Sequence, residues 1–236
     1  MKKTILTLAA SAGALALGTA AHAATAFTAN IEIDQSTTES PGYTDQFGQA
    51  SLVLVDNEDG SQSLAMTVTF TGALDFSGIV ASGQIDEVIG TDNGAGGEVV
   101  TGFHIHDGDR GESGPVVFSL FDTALGLGTS DTDADTVLDF GAGDGTISIS
   151  STWDIDEGTA DGVLSDFLGE LLAATTGEDV GLYFNLHTVA APMGLIRGQV
   201  VATNDITNAV PLPAALPLFG AGLAALGVAR RRKARA

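Results

Sequence analysis

Alternation of apolar and polar residues is the sequence feature that most restricts the fold of this chain. Between residues 27 and 203, short stretches carry apolar side chains at every second position, and Gly, Asp and Asn separate the stretches. Because successive side chains of a strand point to opposite faces, a period of two predicts β-strands with one face in a core. Eight strands are expected, at 27–33, 49–56, 64–71, 99–106, 116–121, 146–153, 180–187 and 195–202.

Eight strands joined by short turns predict an all-β fold, an antiparallel β-sandwich or a flattened Greek-key barrel. The Gly- and Asp-rich segments 56–60 and 141–145 are typical of hairpin connections. One short helix is expected over 163–172, where apolar residues follow helical spacing after a possible cap at Asp161. Residues 75–97 are interpreted as a Gly-rich excursion between strands.

The charge of the chain is strongly unbalanced, and this excludes one class of function. Residues 24 to 209 contain all 30 acidic residues and only two basic ones, Arg110 and Arg197, which leaves a formal charge of −28. Such a surface repels phosphate backbones, so nucleic acid is excluded as a partner. The chain also has no cysteine, so disulfides and thiolate chemistry are excluded and stability must come from a packed core.

The N-terminal segment has the layout of a secretory signal peptide. Lys2 and Lys3 precede an apolar run, which ends in the small-residue site Ala21-His22-Ala23. We therefore expect a signal peptide at 1–23, export through the inner membrane and a mature domain at 24–203, followed by a linker at 204–209.

The C-terminal segment 210–236 combines a short motif, an apolar stretch and a basic tail. The motif is Val210, Pro211, Leu212, Pro213 and Ala214, and an arginine-rich cluster begins at Arg230. The apolar stretch 214–229 would span about 24 Å as a helix, slightly less than the ~30 Å hydrocarbon core. This arrangement resembles the VPLPA-type variant of the PEP-CTERM sorting signals. The resemblance implies a transient membrane tether through a transmembrane helix, cleavage by an exosortase-type protease, and release to the cell surface or extracellular matrix.

Two motifs in the middle of the chain resemble the CHRD domain, named after chordin. The first is FHIHDGDRGESGPVV at 103–117, and the second combines YFNLHT at 183–188 with PMGLIRGQV at 192–200. The resemblance covers most of residues 25 to 203 and implies a β-sandwich fold, while it defines activity poorly. Six residues of these motifs are expected to have structural roles, namely Arg110, Gly114, Pro115, Asn185, Arg197 and Gly198.

Three histidines in these motifs are candidate metal ligands. His104 and His106 are two positions apart on one strand, so they share a face, and His187 is expected on the outward face of another strand. Clustered imidazoles bind copper or zinc. Segment 103–106 also resembles the copper-binding strand of copper/zinc superoxide dismutases, which implies a superoxide-dismutase-like sandwich. The mature chain nevertheless lacks the fourth histidine and the cysteine pair of that family. The alternative is that the histidines fix turns by hydrogen bonding.

The remaining charged candidates are given structural interpretations. Arg110 and Arg197 are expected to pair with carboxylates and to clamp loops, with anion recognition as the second interpretation. The alternating carboxylates of segment 131–135 do not fit the twelve-residue calcium loop, so they predict a solvated acidic loop with weak calcium binding.

Taken together, the sequence favours an exported, non-enzymatic CHRD protein with a structural or interaction role in the envelope or matrix. Recognition is expected through an exposed face near 103–114 and 183–198. The alternative is a mononuclear copper or zinc protein that uses His104, His106 and His187, with redox activity as one role such a site would allow. A hydrolase acting on matrix polymers is a third class, with no assignable catalytic residues.

Overall fold

The computed structural model describes residues 25–36, 47–91, 97–141 and 145–203. The expected signal peptide at 1–23, linker at 204–209 and sorting signal at 210–236 lie outside these ranges. Neither α-helix in the described ranges combines the length and the apolar composition that crossing a bilayer would require.

The described residues form thirteen strands, two α-helices and one 3-10 turn. The strands are β1 Thr25–Ile31, β2 Phe47–Asp56, β3 Gln62–Thr71, β4 Leu74–Asp75, β5 Glu87–Ile89, β6 Glu98–Asp107, β7 Val116–Asp122, β8 Val137–Asp139, β9 Ile147–Asp154, β10 Gly158–Thr159, β11 Gly162–Val163, β12 Asp179–Thr188 and β13 Ile196–Thr203. The helices are α1 Ser77–Ser82 and α2 Leu164–Ala173, and the 3-10 turn is Ile33–Gln35.

The predicted all-β fold is confirmed, with more strands than the eight expected. Each expected strand is present within a few residues of its predicted bounds, and the additional ones are β4, β5, β8, β10 and β11. Each of these has only two or three residues, which is too short for alternation to be visible in the sequence.

Most strands belong to one curled sheet in the order β4, β6, β12, β13, β1, β2, β3, β9, β8, β5, with β7 also paired to β6. The curl brings distant strands of this order face to face. Phe70 of β3 lies 5.2 Å from Phe103 of β6 between ring centroids, and Phe118 of β7 stacks on Trp153 of β9 at the same distance. The sheet thus encloses its own hydrophobic core.

The helical segments differ in part from the prediction. Helix α2 is present, and it buries Leu164 and Leu171, but its N-cap is Val163 and not Asp161. The backbone N–H of Val163 donates to the Asp166 carboxylate, which satisfies one of the free donors at the helix start. The described part of the excursion at 75–97 contains α1 and β5, so it is more regular than its glycine content indicates.

Two neighbouring strands, β6 and β12, position the candidate site. Phe103 on β6 and Phe184 on β12 point into the core and are fully buried. Their neighbours in sequence therefore project from the opposite face of the sheet. The antiparallel register places Asn185 opposite His104, and His187 opposite Gly102.

Candidate metal centre

Three histidines from two strands converge on the face of the sheet opposite the core. The ring centroids of His104 and His187 are 4.7 Å apart, and His106 lies 5.8 Å from each of the other two rings. One ring nitrogen from each lies within 4.8 Å of the corresponding nitrogens of the other two. We refer to these residues as the histidine cluster.

The histidine cluster is covered by two loops, so the expectation of solvent-facing histidines is wrong. His104, His106 and His187 are 0%, 7% and 6% exposed. The first loop, 108–115, connects β6 to β7, and the second, 189–195, connects β12 to β13. We call them the first and second motif loops. Sequence alternation assigns residues to a face, but it does not show what covers that face.

Each motif loop orients one imidazole through a backbone carbonyl. Nδ1 of His106 lies 3.0 Å from the carbonyl oxygen of Gly114, and Nδ1 of His187 lies 3.0 Å from that of Pro192. A carbonyl oxygen only accepts hydrogen bonds, so both Nδ1 atoms carry the proton. In a neutral ring the lone pair is then on Nε2.

Both of these Nε2 atoms are buried without a hydrogen-bond partner among the described residues. Burial lowers the pKa of His106 to about 4, with the adjacent His104 and His187 as further causes. Burial also lowers the pKa of His187 to about 4. Both imidazoles are therefore neutral near pH 7 and present free lone pairs, which is the state that binds a metal ion.

His104 has a carboxylate neighbour that the sequence did not identify. Nε2 of His104 lies 3.0 Å from Oδ2 of Asp122, although the two atoms are not aligned for a hydrogen bond, and Nδ1 of His104 also has no partner among the described residues. The carboxylate of Asp122 is not among the groups that converge within 4.8 Å of the cluster. It therefore lies behind His104 rather than inside the cluster.

Asp122 is held in place by the loop that follows β7. Its Oδ1 accepts hydrogen bonds from the backbone N–H groups of Ala124, Leu125 and Gly126. Burial alone would raise the pKa of Asp122, but His104 and these amides outweigh it and keep the pKa below its usual value. The carboxylate is consequently ionised, with Oδ2 directed at the imidazole. An aspartate that ends a strand and is followed by a turn was the only signal for it in the sequence.

Close packing of the motif loops requires glycine at two positions. A Cβ atom at Gly114 would overlap the carbonyl oxygen of Asp107. Gly194 has a φ of +117, and a Cβ atom there would overlap the side chain of Asn185. These glycines allow the loops to approach the sheet closely enough to bring the carbonyls of Gly114 and Pro192 to the histidines.

Two further motif residues hold the same loops, and a third lets two strands approach closely. The amide of Asn185 donates to the carbonyl of Met193 at 3.3 Å, and the carbonyl of Pro115 accepts from the backbone of Asp107 at 3.0 Å. A Cβ atom at Gly198 would lie 2.7 Å from the carbonyl oxygen of Asn30, so glycine allows β13 to lie close to β1.

A stack of three side chains extends from the histidine cluster. The ring of Tyr183 is nearly parallel to that of His106, with centroids 4.8 Å apart, and the guanidinium carbon of Arg197 lies 3.4 Å from the centroid of Tyr183. The hydroxyl of Tyr183 accepts a hydrogen bond from the backbone of Gly114. Tyr183 thus links the cluster, the first motif loop and a buried cation. The motif sequence alone did not predict this role.

The two arginines of the domain have different environments. Arg110 forms a bidentate pair with Asp179, at 2.7 and 2.9 Å, which agrees with the expected clamp. Arg197 is 3% exposed, and it forms no ion pair with any carboxylate in the described ranges, contrary to expectation. Its guanidinium donates instead to the backbone carbonyls of Asp109 and Glu112. Arg197 clamps the first motif loop while its charge is left without an anionic partner there.

A cavity of about 180 Å³ opens onto this arrangement. His106 and His187 form part of its wall, together with Tyr183 and Arg197. The remaining lining residues are Ser36, Ser113, Gly114, Leu125, Asn185, Pro192 and Met193. The cavity therefore connects two of the histidines with the unpaired guanidinium.

The acidic segment expected to bind calcium weakly forms a second cluster. Oxygens of Asp131, Asp133 and Glu157 lie within 4.8 Å of one another. Glu157 is buried and accepts hydrogen bonds from the backbone and hydroxyl of Thr132. Asp131 similarly accepts from Thr136. These carboxylates order the loop through backbone contacts, so part of it is packed and not simply solvated.

Comparison with protein families identifies one match. The family model for the CHRD domain matches residues 27–200, a range that includes both motif loops and the histidine cluster. Comparison with curated proteins and with solved structures gives no match.

Proposed function

This chain belongs to the CHRD domain family, and from the geometry of its histidine cluster we propose that the domain holds one zinc or copper(II) ion through His104, His106 and His187. One observation carries the proposal. Three buried imidazoles converge, and two of them have their Nε2 lone pairs fixed by the motif loops without a protein partner.

The alternative interpretation, histidines that serve only to fix turns, accounts for one nitrogen of His106 and one of His187. It leaves the Nε2 atoms of both rings desolvated and unbonded. Leaving a buried acceptor unsatisfied costs about 1–3 kcal/mol. A single metal ion would satisfy all three rings at once, and zinc and copper(II) both accept imidazole ligands.

The carboxylate of Asp122, next to His104, supports the same proposal because it can orient that ring. Metal-bound histidines commonly donate their second ring N–H to a carboxylate, which orients the ring and strengthens it as a ligand. If His104 binds through Nδ1, its Nε2 carries the proton, and Oδ2 of Asp122, 3.0 Å from Nε2, would accept it once the two groups align. Three protein ligands also leave a tetrahedral ion with one coordination position open.

Metal content of the purified protein tests the proposal. After incubation with zinc or copper(II) and removal of excess metal, we expect one ion per chain by elemental analysis. His104→Ala and His187→Ala should each lose it, because two imidazoles bind far more weakly than three. Asp133→Asn is the matched control, since it alters the acidic cluster instead of the histidine cluster, and it should retain the ion.

Absence of stoichiometric metal from the folded wild-type protein would contradict the proposal. Metal that is lost in Asp133→Asn but kept in both histidine variants would place the binding at the acidic cluster and would contradict it equally.

An interaction role in the envelope or matrix is the second candidate, and exposed apolar side chains favour it. Val189 and Met193 of the second motif loop are 65% and 70% exposed, and Leu125, which lines the cavity together with Met193, is 58% exposed. Apolar side chains displayed together are typical of contact surfaces. Replacing all three by serine should weaken retention at the cell surface if they contact a partner. Unchanged retention would count against this role.

The interaction role in the envelope or matrix also requires that the protein be exported and sorted. The signal peptide at 1–23 and the sorting signal at 210–236 support passage through the inner membrane, a transient anchor there, and processing by an exosortase-type protease. Mass spectrometry of the protein recovered from the cell surface or medium should show a chain that begins at Ala24 and ends near Ala214. A full-length chain retained in cells would contradict this pathway.

A further inference from the structure

We infer that the open coordination position of the bound metal is a binding site for a small anion, either a monovalent inorganic anion or a short carboxylate, which Arg197 helps to hold. The inference rests on the proposed metal site. It adds the chemical class of the ligand that enters the cavity beside that site.

The environment of Arg197 is the first reason. Guanidinium groups at buried positions are normally paired with carboxylates, because an unpaired buried charge is costly. Arg197 is 3% exposed, yet within the described ranges its partners are two backbone carbonyls, the amide oxygen of Gln199 and the ring of Tyr183. Carbonyl dipoles and an aromatic face offset only part of a full positive charge, so an anion would stabilise this group.

The shape of the cavity is the second reason. His106, His187 and Arg197 all line the same space of about 180 Å³. One water molecule needs roughly 10–15 Å³ on such a measure, so the cavity admits a small molecule in addition to solvent. Met193 and Leu125 at its border make part of the wall apolar.

The charge balance of the occupied site is the third reason. Three neutral imidazoles leave the charge of a divalent ion undiminished, and Arg197 adds one further positive charge. Asp122 is the one carboxylate in contact with the histidine cluster in the described residues, and it supplies a single negative charge. The site is thus positive overall and favours an anion over a neutral ligand. The acidic surface opposes this only weakly, because salt screens exposed charges beyond about 8 Å at physiological ionic strength.

Azide and formate are suitable probes, with neutral pyridine as the comparison ligand. We expect azide and formate to change the visible absorption and EPR spectra of the copper(II)-loaded full-length protein in a saturable way. Pyridine should bind more weakly at the same pH, since it cannot offset the positive charge.

Met193 offers matched variants that leave the proposed ligands and Arg197 intact. Its side chain is 70% exposed and lines the cavity, so substitution there should not disturb the fold. Met193→Glu should raise the Kd for azide by about 3- to 10-fold, the range expected for one added negative charge at a partly screened distance of several ångströms. Met193→Gln should leave the Kd within about twofold of wild type, and pyridine affinity should be the same in all three proteins.

Arg197→Gln should weaken azide binding more strongly than Met193→Glu, while retaining copper if the fold is kept. Should Arg197→Gln fail to fold, the Met193 pair still decides the question. Retained copper with no spectral response to azide, or equal azide affinity in Met193→Glu and Met193→Gln, would overturn the anion site and leave the metal site standing. Failure of the wild-type protein to bind any metal would overturn both.

Discussion

In the histidine cluster, a single side chain can contribute to the fold through one ring nitrogen and to the candidate site through the other. His106 and His187 each use Nδ1 to hold a motif loop and leave Nε2 free. The sequence predicted that His104 and His106 share a face, because that follows from a period of two. The closeness of His187 was a hypothesis drawn from the two motifs, because it depends on the register between β6 and β12, and the structure brings the three rings together. The carboxylate of Asp122 near His104, which depends on β7, was not predicted.

Asp122 gives a prediction at the scale of one residue. In Asp122→Asn the remaining carbonyl oxygen can keep accepting from the backbone amides of the following loop. The new amide group would face His104 and donate to Nε2, which would move the ring proton to Nδ1 and remove a metal ligand. We expect zinc affinity to fall by about 10- to 100-fold, measured by competition with a chelator of known affinity.

Loss of folding would produce the same apparent result, so unfolding by urea is measured in parallel on the metal-free protein. Equal zinc affinity in a folded Asp122→Asn variant would show that Asp122 has no orienting role.

The lowered pKa values predict how the stability of the metal-free protein depends on pH. The pKa of His106 and of His187 is about 4 when folded, against about 6.5 when unfolded. Between these values the unfolded state binds more protons, so the free energy of unfolding is highest above pH 6.5 and falls as pH drops towards 4. We expect a loss of about 1.5 kcal/mol per histidine between pH 6.5 and pH 5, measured by urea denaturation.

Carboxylates with raised pKa values, Asp133, Asp154 and Glu157, act in the opposite direction over part of this range. The comparison is therefore made with the double variant His106→Gln/His187→Gln, in which the histidine contribution is absent. A pH dependence identical in wild type and double variant would show that these histidines are not neutral in the folded state.

At the scale of elements, strand length decided what could be predicted. The eight strands of seven to ten residues were visible as alternation, and the structure confirms them. The five additional strands are too short to show a period, and α1 lies among glycine and serine residues that weaken any helical signal. The sequence did not predict that the two motif loops cover the histidine cluster. The loops contact the histidines through backbone carbonyls, which carry no sequence signature.

The second motif loop provides a prediction at this scale. Gly194 combines a φ of +117 with close contact to Asn185, so Gly194→Ala should destabilise the domain by about 3 kcal/mol through strain and overlap together. Gly177 is a matched control, with a φ of +87 and no atom within 4 Å of an added Cβ. Gly177→Ala should cost about 1 kcal/mol from backbone strain alone.

Urea denaturation of the metal-free proteins provides both values. The same proteins can then be assayed for zinc, and Gly194→Ala should also lose affinity because it displaces the carbonyl that orients His187. Equal destabilisation by the two alanine substitutions would contradict the close packing of this loop.

At the scale of the whole molecule, charge sets the response to salt. The domain carries thirty acidic residues against Arg110 and Arg197, and repulsion among its carboxylates opposes the compact state. We expect the free energy of unfolding to rise by about 1–2 kcal/mol between 10 mM and 500 mM sodium chloride, because salt screens this repulsion.

Asp133→Asn removes one charge from the acidic cluster, where burial and the neighbouring Asp135 and Asp131 raise the pKa of Asp133. It should increase the stability at low salt and reduce the gain from added salt. A free energy of unfolding that stays constant or falls with sodium chloride would show that repulsion is not a significant cost to this fold.

The pairing of β1 with β13 joins the first and last described strands of the domain. Strand β6 likewise pairs with β12, which lies near the C-terminal end of the domain. A polypeptide that is still being synthesised or threaded through a membrane cannot close this sheet, so folding proceeds only once the final strand has been released. Contacts this distant along the chain also make folding slow. If the histidine cluster binds a metal as proposed, the ion can enter only after β12 has paired with β6. The ions available in the compartment where folding ends would then determine which metal the protein acquires.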